Sequence, residues 1–175
     1  MWYCKTEYAL RDASQAVRRL LAEAFLREYG EPVPAIAKTP EGKPYFPSLP
    51  DIYFSLSHSG EHLLCALGEA PVGCDVQLRR ALSPGTEEKL MDERERRDFG
   101  FFELWCLRES LLKMNGSGSL RSARFRREGE RIIAPSENVV CRLYDGIEGC
   151  ACAVCTLGDE ATAAPVKVEL SAADA

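Results

Sequence analysis

Residues 101–115 read FFELWCLRESLLKMN, a strongly apolar segment with helical periodicity that ends at Gly116-Ser117-Gly118. Trp105, Glu109 and Lys113 follow one another at intervals of four, so they lie along one face of the predicted helix. A glutamate in this aromatic sector loses solvation unless a metal ion or an ammonium group lies beside it. A surface pair of Glu109 and Lys113 is the alternative, and the spacing alone leaves both interpretations open.

The upstream segment Val72-Gly73-Cys74-Asp75-Val76-Gln77 has the alternation of a β-strand. This alternation sends Gly73, Asp75 and Gln77 to one face, which we expect to be polar, and the other residues to the core. A carboxylate next to a residue without a side chain predicts an oxygen ligand with open space beside it. That arrangement suits a hydrated divalent cation and a phosphate, although an ordinary solvent-facing strand explains the same pattern.

Residues 55–60 read SLSHSG and place hydroxyl groups and one of the two histidines at the end of another predicted strand. Hydroxyl, imidazolium and backbone N–H groups are all hydrogen-bond donors, so Ser57 and His58 could contact a phosphate. Turn composition alone accounts for the same residues. The segment by itself does not choose between a phosphate contact and a turn.

The rest of the chain alternates helices with strands. A first amphipathic helix is predicted over residues 12–29, and a Pro- and Gly-rich surface segment follows it. The predicted strands are an antiparallel meander over 52–57, 62–67 and 72–78, then 123–127, 131–134, 139–144, 150–157 and 166–170. A helix followed by a meander thus occurs twice. We therefore predict an α+β fold in which residues 1–175 form one domain of two similar halves, about 1–82 and 83–170, each a long helix packed on a small antiparallel sheet.

Composition and charge exclude several classes of function. The 175 residues carry 22 Lys plus Arg against 27 Asp plus Glu, and the net charge of −5 argues against general binding to nucleic acid or to anionic membranes. No apolar stretch approaches the roughly 18 residues needed to span a bilayer, and charged residues interrupt any secretory signal at the start. We therefore predict a cytoplasmic protein without nucleic-acid or membrane partners.

The eight cysteines are predicted to be reduced thiols, because a chain of this length does not need a disulfide framework. Cys150 and Cys152 would share one face of a strand while Cys155 points to the other, and the sequence lacks paired Cys-x-x-Cys spacings. Buried free cysteine that acts as a small apolar residue is therefore preferred to a zinc site.

Four blocks between residues 42 and 113 resemble the signature motifs of the 4′-phosphopantetheinyl transferase superfamily, in its longer, two-half type with a shortened first half. The blocks are GKPYF (42–46), FSLSHS (54–59), VGCDVQ (72–77) and LWCLRESLLK (104–113). Each block is weak alone, but their order and spacing are specific, and the helix block is the most specific. The resemblance implies Mg²⁺-dependent transfer of the 4′-phosphopantetheine group from coenzyme A to a serine of an apo acyl or peptidyl carrier protein, with Mn²⁺ able to replace Mg²⁺. Adenosine 3′,5′-bisphosphate would be released.

The resemblance also implies roles for individual residues. Asp75 and Glu109 would bind Mg²⁺ and Lys113 would offset charge on the pyrophosphate, and these three form the implied catalytic set. Glu109, directly or through a bound water, would remove the serine proton. Gln77 stands where many longer members have glutamate. The amide oxygen of Gln77 carries no charge. We therefore predict weaker Mg²⁺ binding, whether Gln77 ligates the ion directly or holds a metal-bound water.

The same resemblance implies how coenzyme A is held. Lys43, Ser57 and His58 would contact the 3′-phosphate and neighbouring groups, while Lys113 would contact the pyrophosphate. Trp105 would form the wall beside Glu109. The shortened first half leaves the N-terminal contacts to the nucleotide unassigned. Candidates for those contacts are Arg11, Arg18 and Arg19.

An acidic carrier protein would meet a basic and apolar surface. Candidates for this surface are Arg108, Arg121, Arg124, Arg126 and Arg127. Two halves in one chain supply a complete cleft, which predicts a monomer. Two other hypotheses remain. A catalytically weak coenzyme A-binding module agrees with Gln77 and the shortened first half, and another Mg²⁺-dependent phosphoryl enzyme agrees with the carboxylate pair alone.

Overall fold

Runs of strands and runs of helices follow one another along the chain, and this order confirms the predicted α+β class. The computed structural model describes residues 1–6, 13–158 and 165–170. The helices are α1 (Ala13–Tyr29), α2 (Thr86–Leu90), α3 (Glu93–Asp98) and α4 (Phe101–Asn115). The strands are β1 (Trp2–Lys5), β2 (Ala37–Lys38), β3 (Pro44–Tyr45), β4 (Tyr53–Ser59), β5 (His62–Gly68), β6 (Val72–Leu78), β7 (Arg126–Glu128), β8 (Arg131–Ile133), β9 (Val139–Leu143), β10 (Cys150–Leu157) and β11 (Val166–Lys167). Over these described ranges, no helix is both long and apolar enough to cross a bilayer.

The two long helices follow the periodicity of the sequence. α4 has the predicted bounds, and Gly116 ends it in the left-handed region at φ +75°. α1 ends at the predicted Tyr29, whereas the predicted first residue, Asp12, lies outside the described residues. The charged segment before α4 contains two short helices that the sequence analysis missed. A capping box of Asp92 and Glu95 begins the second of them, and this local pattern could have revealed it.

Each long helix covers one sheet. The first sheet has the strand order β11-β1-β5-β4, and α1 packs on it through Leu20, Leu21 and Phe25. The prediction of a purely antiparallel sheet is wrong here, because β11 pairs parallel with β1. The second sheet has the order β6-β10-β9, and α4 packs on it through Leu104 and Leu107. β4 and β6 are edge strands of different sheets, and they contact each other. The site described below lies where these two edges meet.

The predicted three-stranded meander is wrong for its third strand. β5 pairs antiparallel with β4 on one side and with β1 on the other, so both of its edges are occupied. β6 instead pairs antiparallel with β10, from Val72 opposite Thr156 to Leu78 opposite Cys150. The sequence analysis did not predict β1, and that short strand takes the edge of β5 that β6 was expected to use.

Gly73 determines how closely α4 approaches β6. A Cβ atom at Gly73 would lie 1.9 Å from the carbonyl oxygen of Ser110 and 2.4 Å from the backbone nitrogen of Met114. The predicted open space beside Asp75 is therefore wrong, because the helix backbone fills it. The same face of β6 is also not solvent-facing, since Asp75 is only 2% exposed.

Two of the cysteines are not free thiols. Cys141 in β9 and Cys155 in β10 stand directly opposite each other with Cα atoms 4.3 Å apart, and they form a disulfide. The prediction of eight reduced cysteines is therefore wrong for this pair, because the register of two strands brings them together. The prediction is confirmed for six buried, free cysteines, namely Cys4, Cys65, Cys74, Cys106, Cys150 and Cys152.

Candidate active site

The carboxylate of Asp75 lies in the middle of β6 and is contacted by side chains from three elements. The Ser57 hydroxyl in β4 donates a hydrogen bond to Oδ1 at 2.6 Å, and the Lys113 ammonium in α4 donates to the same oxygen at 2.7 Å. The amide of Gln77 in β6 donates to Oδ2 at 3.3 Å. The structure thus brings three other predicted site residues together around the buried carboxylate of Asp75.

Lys113 compensates the burial of Asp75. A carboxylate removed from water is costly unless a cation and further hydrogen bonds satisfy its oxygens. The Lys113 ammonium also donates to the carbonyl oxygen of Cys74 at 3.2 Å, while its side chain remains 30% exposed. Two of the three N–H donors of the ammonium therefore contact the protein.

Glu109 lies one turn before Lys113 on the same face of α4 and is partly buried. Burial raises the pKa of the Glu109 carboxyl, the nearby charge of Asp75 raises it further, and the Lys113 ammonium lowers it. Glu109 therefore interacts electrostatically with both members of the buried pair. The alternative of a simple surface pair between Glu109 and Lys113 is wrong, because Lys113 pairs with Asp75.

A cleft of about 570 Å³ opens beside Glu109. Its wall on the side of α4 is aromatic, with Phe101 stacked on Trp105 at 6.1 Å and Phe102 edge-on to Phe101 at 5.3 Å. Gln77 also lines the cleft, and so does Arg80, which the sequence analysis missed. Trp105 therefore lies in the wall near Glu109, as the helix spacing predicts.

A second cavity, of about 300 Å³, lies at the other end of α4 and is lined by both Lys43 and Lys113. The Lys43 ammonium donates to the carbonyl oxygen of Met114, one of the last carbonyl groups of the helix. The stem of Lys43 packs against Gly116, where a Cβ atom would lie 3.3 Å from its Cδ. Burial lowers the pKa of Lys43. Lys43 thus holds the C-terminus of α4 as well as lining this cavity.

Ser57 and His58 point to opposite faces of β4, because side chains alternate along a strand. Ser57 is 4% exposed, and its hydroxyl accepts the N–H of Val76 at 3.2 Å while it donates to Asp75. His58 is exposed. The side chains of Ser57 and His58 therefore lie on opposite faces of β4, although the two residues are adjacent in the motif.

The oxygen donors available for a divalent cation are the carboxylates of Asp75 and Glu109 and the amide of Gln77. Gln77 turns its amide nitrogen toward Asp75, and its amide oxygen accepts a hydrogen bond from the Ser59 hydroxyl at 3.5 Å. No group of three His, Cys, Asp or Glu side chains suited to a metal occurs in the part of the chain that the structure describes. Two carboxylates with a neutral amide still fit a hard cation that takes its remaining ligands from water and phosphate.

Arg108 is not part of a basic surface, so that prediction is wrong. Its side chain is 3% exposed, and one guanidinium nitrogen contacts the two carboxylate oxygens of Glu95 at 2.9 and 3.0 Å. The buried guanidinium also donates to the carbonyl oxygens of Leu90 and Ala123, so it joins α4 to the segments on either side. The other proposed surface residues, Arg121, Arg124, Arg126 and Arg127, are exposed.

The arginines proposed for the nucleotide lie in or before α1. Arg18 is exposed, and Arg19 lines a separate groove of about 530 Å³ beside Leu26 and Val33. Arg11 lies outside the described residues. Neither Arg18 nor Arg19 lines the two cavities at α4.

No protein-family model matches the chain. The chain is, however, similar in sequence to individual proteins. The chain is 32% identical to the "4'-phosphopantetheinyl transferase" of Bacillus subtilis, over 87% of this chain and 78% of that protein. It is 30% identical to the "4'-phosphopantetheinyl transferase psf-1" of Bacillus pumilus over 81% and 71% of the two chains, and 32% identical to the "4'-phosphopantetheinyl transferase Sfp" of Bacillus subtilis (strain 168) over 65% and 59%.

The similarity to these relatives extends well beyond the four motif blocks, which span residues 42–113. It confirms the resemblance and the enzyme class that the blocks imply. The chain belongs to the 4′-phosphopantetheinyl transferase family.

Proposed function

We propose that the protein transfers 4′-phosphopantetheine from coenzyme A to a serine hydroxyl of an apo acyl or peptidyl carrier protein, in a Mg²⁺-dependent reaction that releases adenosine 3′,5′-bisphosphate. The observation that carries this proposal is the contact between Asp75 and Lys113 at 2.7 Å, with Glu109 coupled to both. This arrangement combines the partly exposed Lys113 with a buried carboxylate, Asp75, and a second carboxylate, Glu109, that lines an open cleft.

The reaction forms a bond from the serine oxygen to the β-phosphorus of coenzyme A. The bond from that phosphorus to the bridging oxygen breaks, and the bridging oxygen leaves on the α-phosphate of adenosine 3′,5′-bisphosphate. Negative charge grows on the nonbridging oxygens and on the leaving phosphate, so positioning and charge neutralisation dominate catalysis. Lys113 is suited to this task, since it carries three N–H donors and remains 30% exposed.

Glu109 accepts the proton of the attacking serine, directly or through a water. Its pKa is raised by burial and by Asp75, and a raised pKa makes a carboxylate a better proton acceptor near neutral pH. Glu109 also lines the cleft, which has an aromatic wall on the side of α4 and is open to a carrier loop. We assign this cleft, with its wall of Phe101, Phe102 and Trp105, to the pantetheine arm and the acceptor serine.

Asp75, Glu109 and the amide of Gln77 would hold the Mg²⁺ ion, which supplies neutralisation of the pyrophosphate charge when it is bound. Only two of these three groups carry charge. We therefore expect the site to bind Mg²⁺ more weakly than a site of three carboxylates would. The Lys113 ammonium, already in contact with Asp75, supplies additional positive charge at the same place.

The phosphate groups of coenzyme A belong on the side of the two lysines. Lys43 and Lys113 both line the smaller cavity together with Glu41, and two lysines against one glutamate favour an anion there. His58 would reach the nucleotide from the exposed face of β4. Ser57 has a different position, because its hydroxyl is engaged by Asp75 and Val76 inside the protein.

The architecture of two similar halves, about 1–82 and 83–170, also belongs to the proposal. Its support is that α1 covers one sheet and α4 the other, with β6 and β11 exchanged between the halves, since β6 joins the sheet under α4 and β11 joins the sheet under α1. Because Asp75 from the first half and Glu109 from the second half meet in one chain, a monomer would hold a complete site.

The proposal is tested by incubating the purified protein with Mg²⁺, coenzyme A and a panel of apo acyl and peptidyl carrier proteins. Mass spectrometry should show one added phosphopantetheine on the carrier, and the addition should vanish when the acceptor serine is replaced by alanine or when a chelator is present. Carriers that remain unmodified across the whole panel would contradict the proposal.

A coenzyme A-binding module without turnover is the second candidate. It is favoured by one observation, the amide nitrogen of Gln77 that faces Asp75 where a further carboxylate would strengthen a metal site. Calorimetry separates the two functions. A transferase should bind coenzyme A more tightly with Mg²⁺ than without it, whereas the module should bind independently of Mg²⁺ and modify no carrier.

A further inference from the structure

Three serine hydroxyls join the two sheets. Ser55, Ser57 and Ser59 alternate along β4, so they face the same side, and we call them the serine row. Their hydroxyl oxygens accept hydrogen bonds from the backbone N–H groups of Cys74 at 3.0 Å, Val76 at 3.2 Å and Leu78 at 3.0 Å in β6. β4 and β6 belong to different sheets, so side-chain oxygens take the place of a backbone ladder at this seam.

Ser57 has a contact that Ser55 lacks. Its hydroxyl donates to Oδ1 of Asp75 at 2.6 Å, whereas the Ser55 hydroxyl interacts with Cys74, whose N–H it accepts at 3.0 Å. A hydroxyl has one proton, and the proton of Ser57 is committed to Asp75. Ser57 and Ser55 are both buried, at 4% and 5% exposure. The two residues therefore form a matched pair that differs in the contact to the carboxylate.

The contact has a consequence for the orientation of the carboxylate. Ser57 and Lys113 both bind Oδ1, which leaves Oδ2 with the longer contact to Gln77. Rotation of the carboxylate would break two hydrogen bonds of 2.6 and 2.7 Å. Oδ2 is thereby turned toward Gln77, which lines the cleft together with Glu109.

We infer that Ser57 is a positioning residue, which fixes the orientation of Asp75 from a neighbouring sheet. This inference rests on the proposed function, since it assigns Asp75 to the cation. Groups that orient a metal ligand commonly change metal affinity or activity by about tenfold to a hundredfold when they are removed. Removal of Ser57 should therefore affect the metal and the turnover, and a direct ligand contact would instead affect the KM for coenzyme A.

The experiment compares Ser57→Ala with Ser55→Ala, because each removes one acceptor of a buried N–H group. Binding of Mn²⁺ to the purified proteins is followed by electron paramagnetic resonance, and kcat and KM for coenzyme A are measured separately. We expect Ser57→Ala to weaken Mn²⁺ binding and to lower kcat by about tenfold or more, with KM within about twofold. Ser55→Ala should remain close to the wild-type protein in Mn²⁺ affinity. Ser57→Thr keeps the hydroxyl and should restore Mn²⁺ binding.

Equal Mn²⁺ affinity in the two alanine variants overturns the inference, and so does a raised KM for coenzyme A with unchanged kcat in Ser57→Ala. A wild-type protein that modifies no carrier contradicts the proposed function separately, and Mn²⁺ binding alone then decides the role of Ser57. If Ser57→Ala does not fold, the comparison of Ser57→Thr with the non-donating Ser57→Val decides it. Equal Mn²⁺ binding by these two variants is again the contradicting result.

Discussion

The Asp75 carboxylate in β6 and the Lys113 ammonium in α4 lie 2.7 Å apart, although 38 positions separate the two residues in the chain. The pair joins β6, an edge strand of its sheet, to the helix α4 that covers it. The contact depends on the close packing of α4 on β6 at Gly73.

Replacement of Lys113 by methionine should leave Asp75 buried without its cation. We expect the free energy of unfolding at pH 7 to fall by about 2–4 kcal/mol, together with loss of turnover. The double variant Asp75→Asn, Lys113→Met removes both charges and should recover most of the stability but no activity. Urea denaturation and the carrier assay measure the two effects. A Lys113→Met protein as stable as the wild type would show that the pair does not compensate the burial.

Gly73→Ala should destabilise the protein strongly. The new Cβ would overlap the backbone of α4 at Ser110 and Met114, and a helix backbone cannot move aside as a flexible side chain can. We expect a loss of about 3 kcal/mol or more in the free energy of unfolding. Gly146 is the matched control, since a Cβ there meets nothing within 4 Å, so Gly146→Ala should change stability by less than about 0.5 kcal/mol. Similar denaturation midpoints for the two variants would contradict the close approach.

Glu109 should control the acid side of the pH dependence of turnover. Its pKa is raised above the ordinary value of 4.5, chiefly by burial and also by Asp75, and the group must be ionised to accept the serine proton. Turnover should therefore rise with pH through the raised pKa, and Glu109→Gln should abolish it. A pH profile of kcat/KM measures this effect. An unchanged profile in Glu109→Gln would exclude Glu109 as the proton acceptor.

The raised pKa of Glu109 also makes the free energy of unfolding depend on pH. A carboxyl whose pKa is higher in the folded state contributes stability below its unfolded pKa and loses that contribution as the pH rises. In the presence of a chelator, Glu109→Gln should therefore be more stable than the wild type at pH 7. The difference should shrink toward about pH 4, where the wild-type carboxyl is protonated in both states. Urea denaturation at several pH values tests this, and a difference independent of pH would contradict it.

Gln77→Glu should strengthen metal binding. The substitution provides a third carboxylate, and we expect the Mg²⁺ concentration at half-maximal activity to fall by about tenfold. Without a cation the new carboxylate would face Asp75, where the amide of Gln77 now donates a hydrogen bond, so the variant should unfold at a lower temperature in a chelator. Added Mg²⁺ should reverse this loss. Gln77→Ala is the control, since it adds no charge and should not gain metal affinity.

Part of this site could be predicted because it depends on short-range periodicity. The four-residue spacing of Glu109 and Lys113 places both on one face of α4, and the two-residue spacing of Asp75 and Gln77 places both on one face of β6. The serine row has the same two-residue spacing, and this was the available signal for its common face. The motif blocks then identify the family that the sequence comparison confirms.

Other features could not be predicted, since they join positions that are far apart in the chain. Cys141 and Cys155 meet only through the register of β9 on β10, and the buried contact of Arg108 with Glu95 requires α3 to pack beside α4. The contact from Lys43 to Met114 spans 71 positions. Charged residues have the same sequence pattern whether they lie at the surface or pair in the interior, so the assignment of Arg108 to a basic surface, together with four other arginines, was wrong.

The amino-acid sequence by itself determined the two long helices, the alternating face of β6 and the family, because each depends on residues close together in the chain or on recognisable motifs. Only the tertiary structure decided that β6 pairs with β10, that the serine row connects β4 to β6, and that Lys113 neutralises Asp75. The physical reason is that backbone pairing and buried polar contacts are set by competition among all strands and side chains for the same edges and partners. β1 occupies the edge of β5, and the edge of β6 that would have joined it instead receives hydroxyl groups from β4.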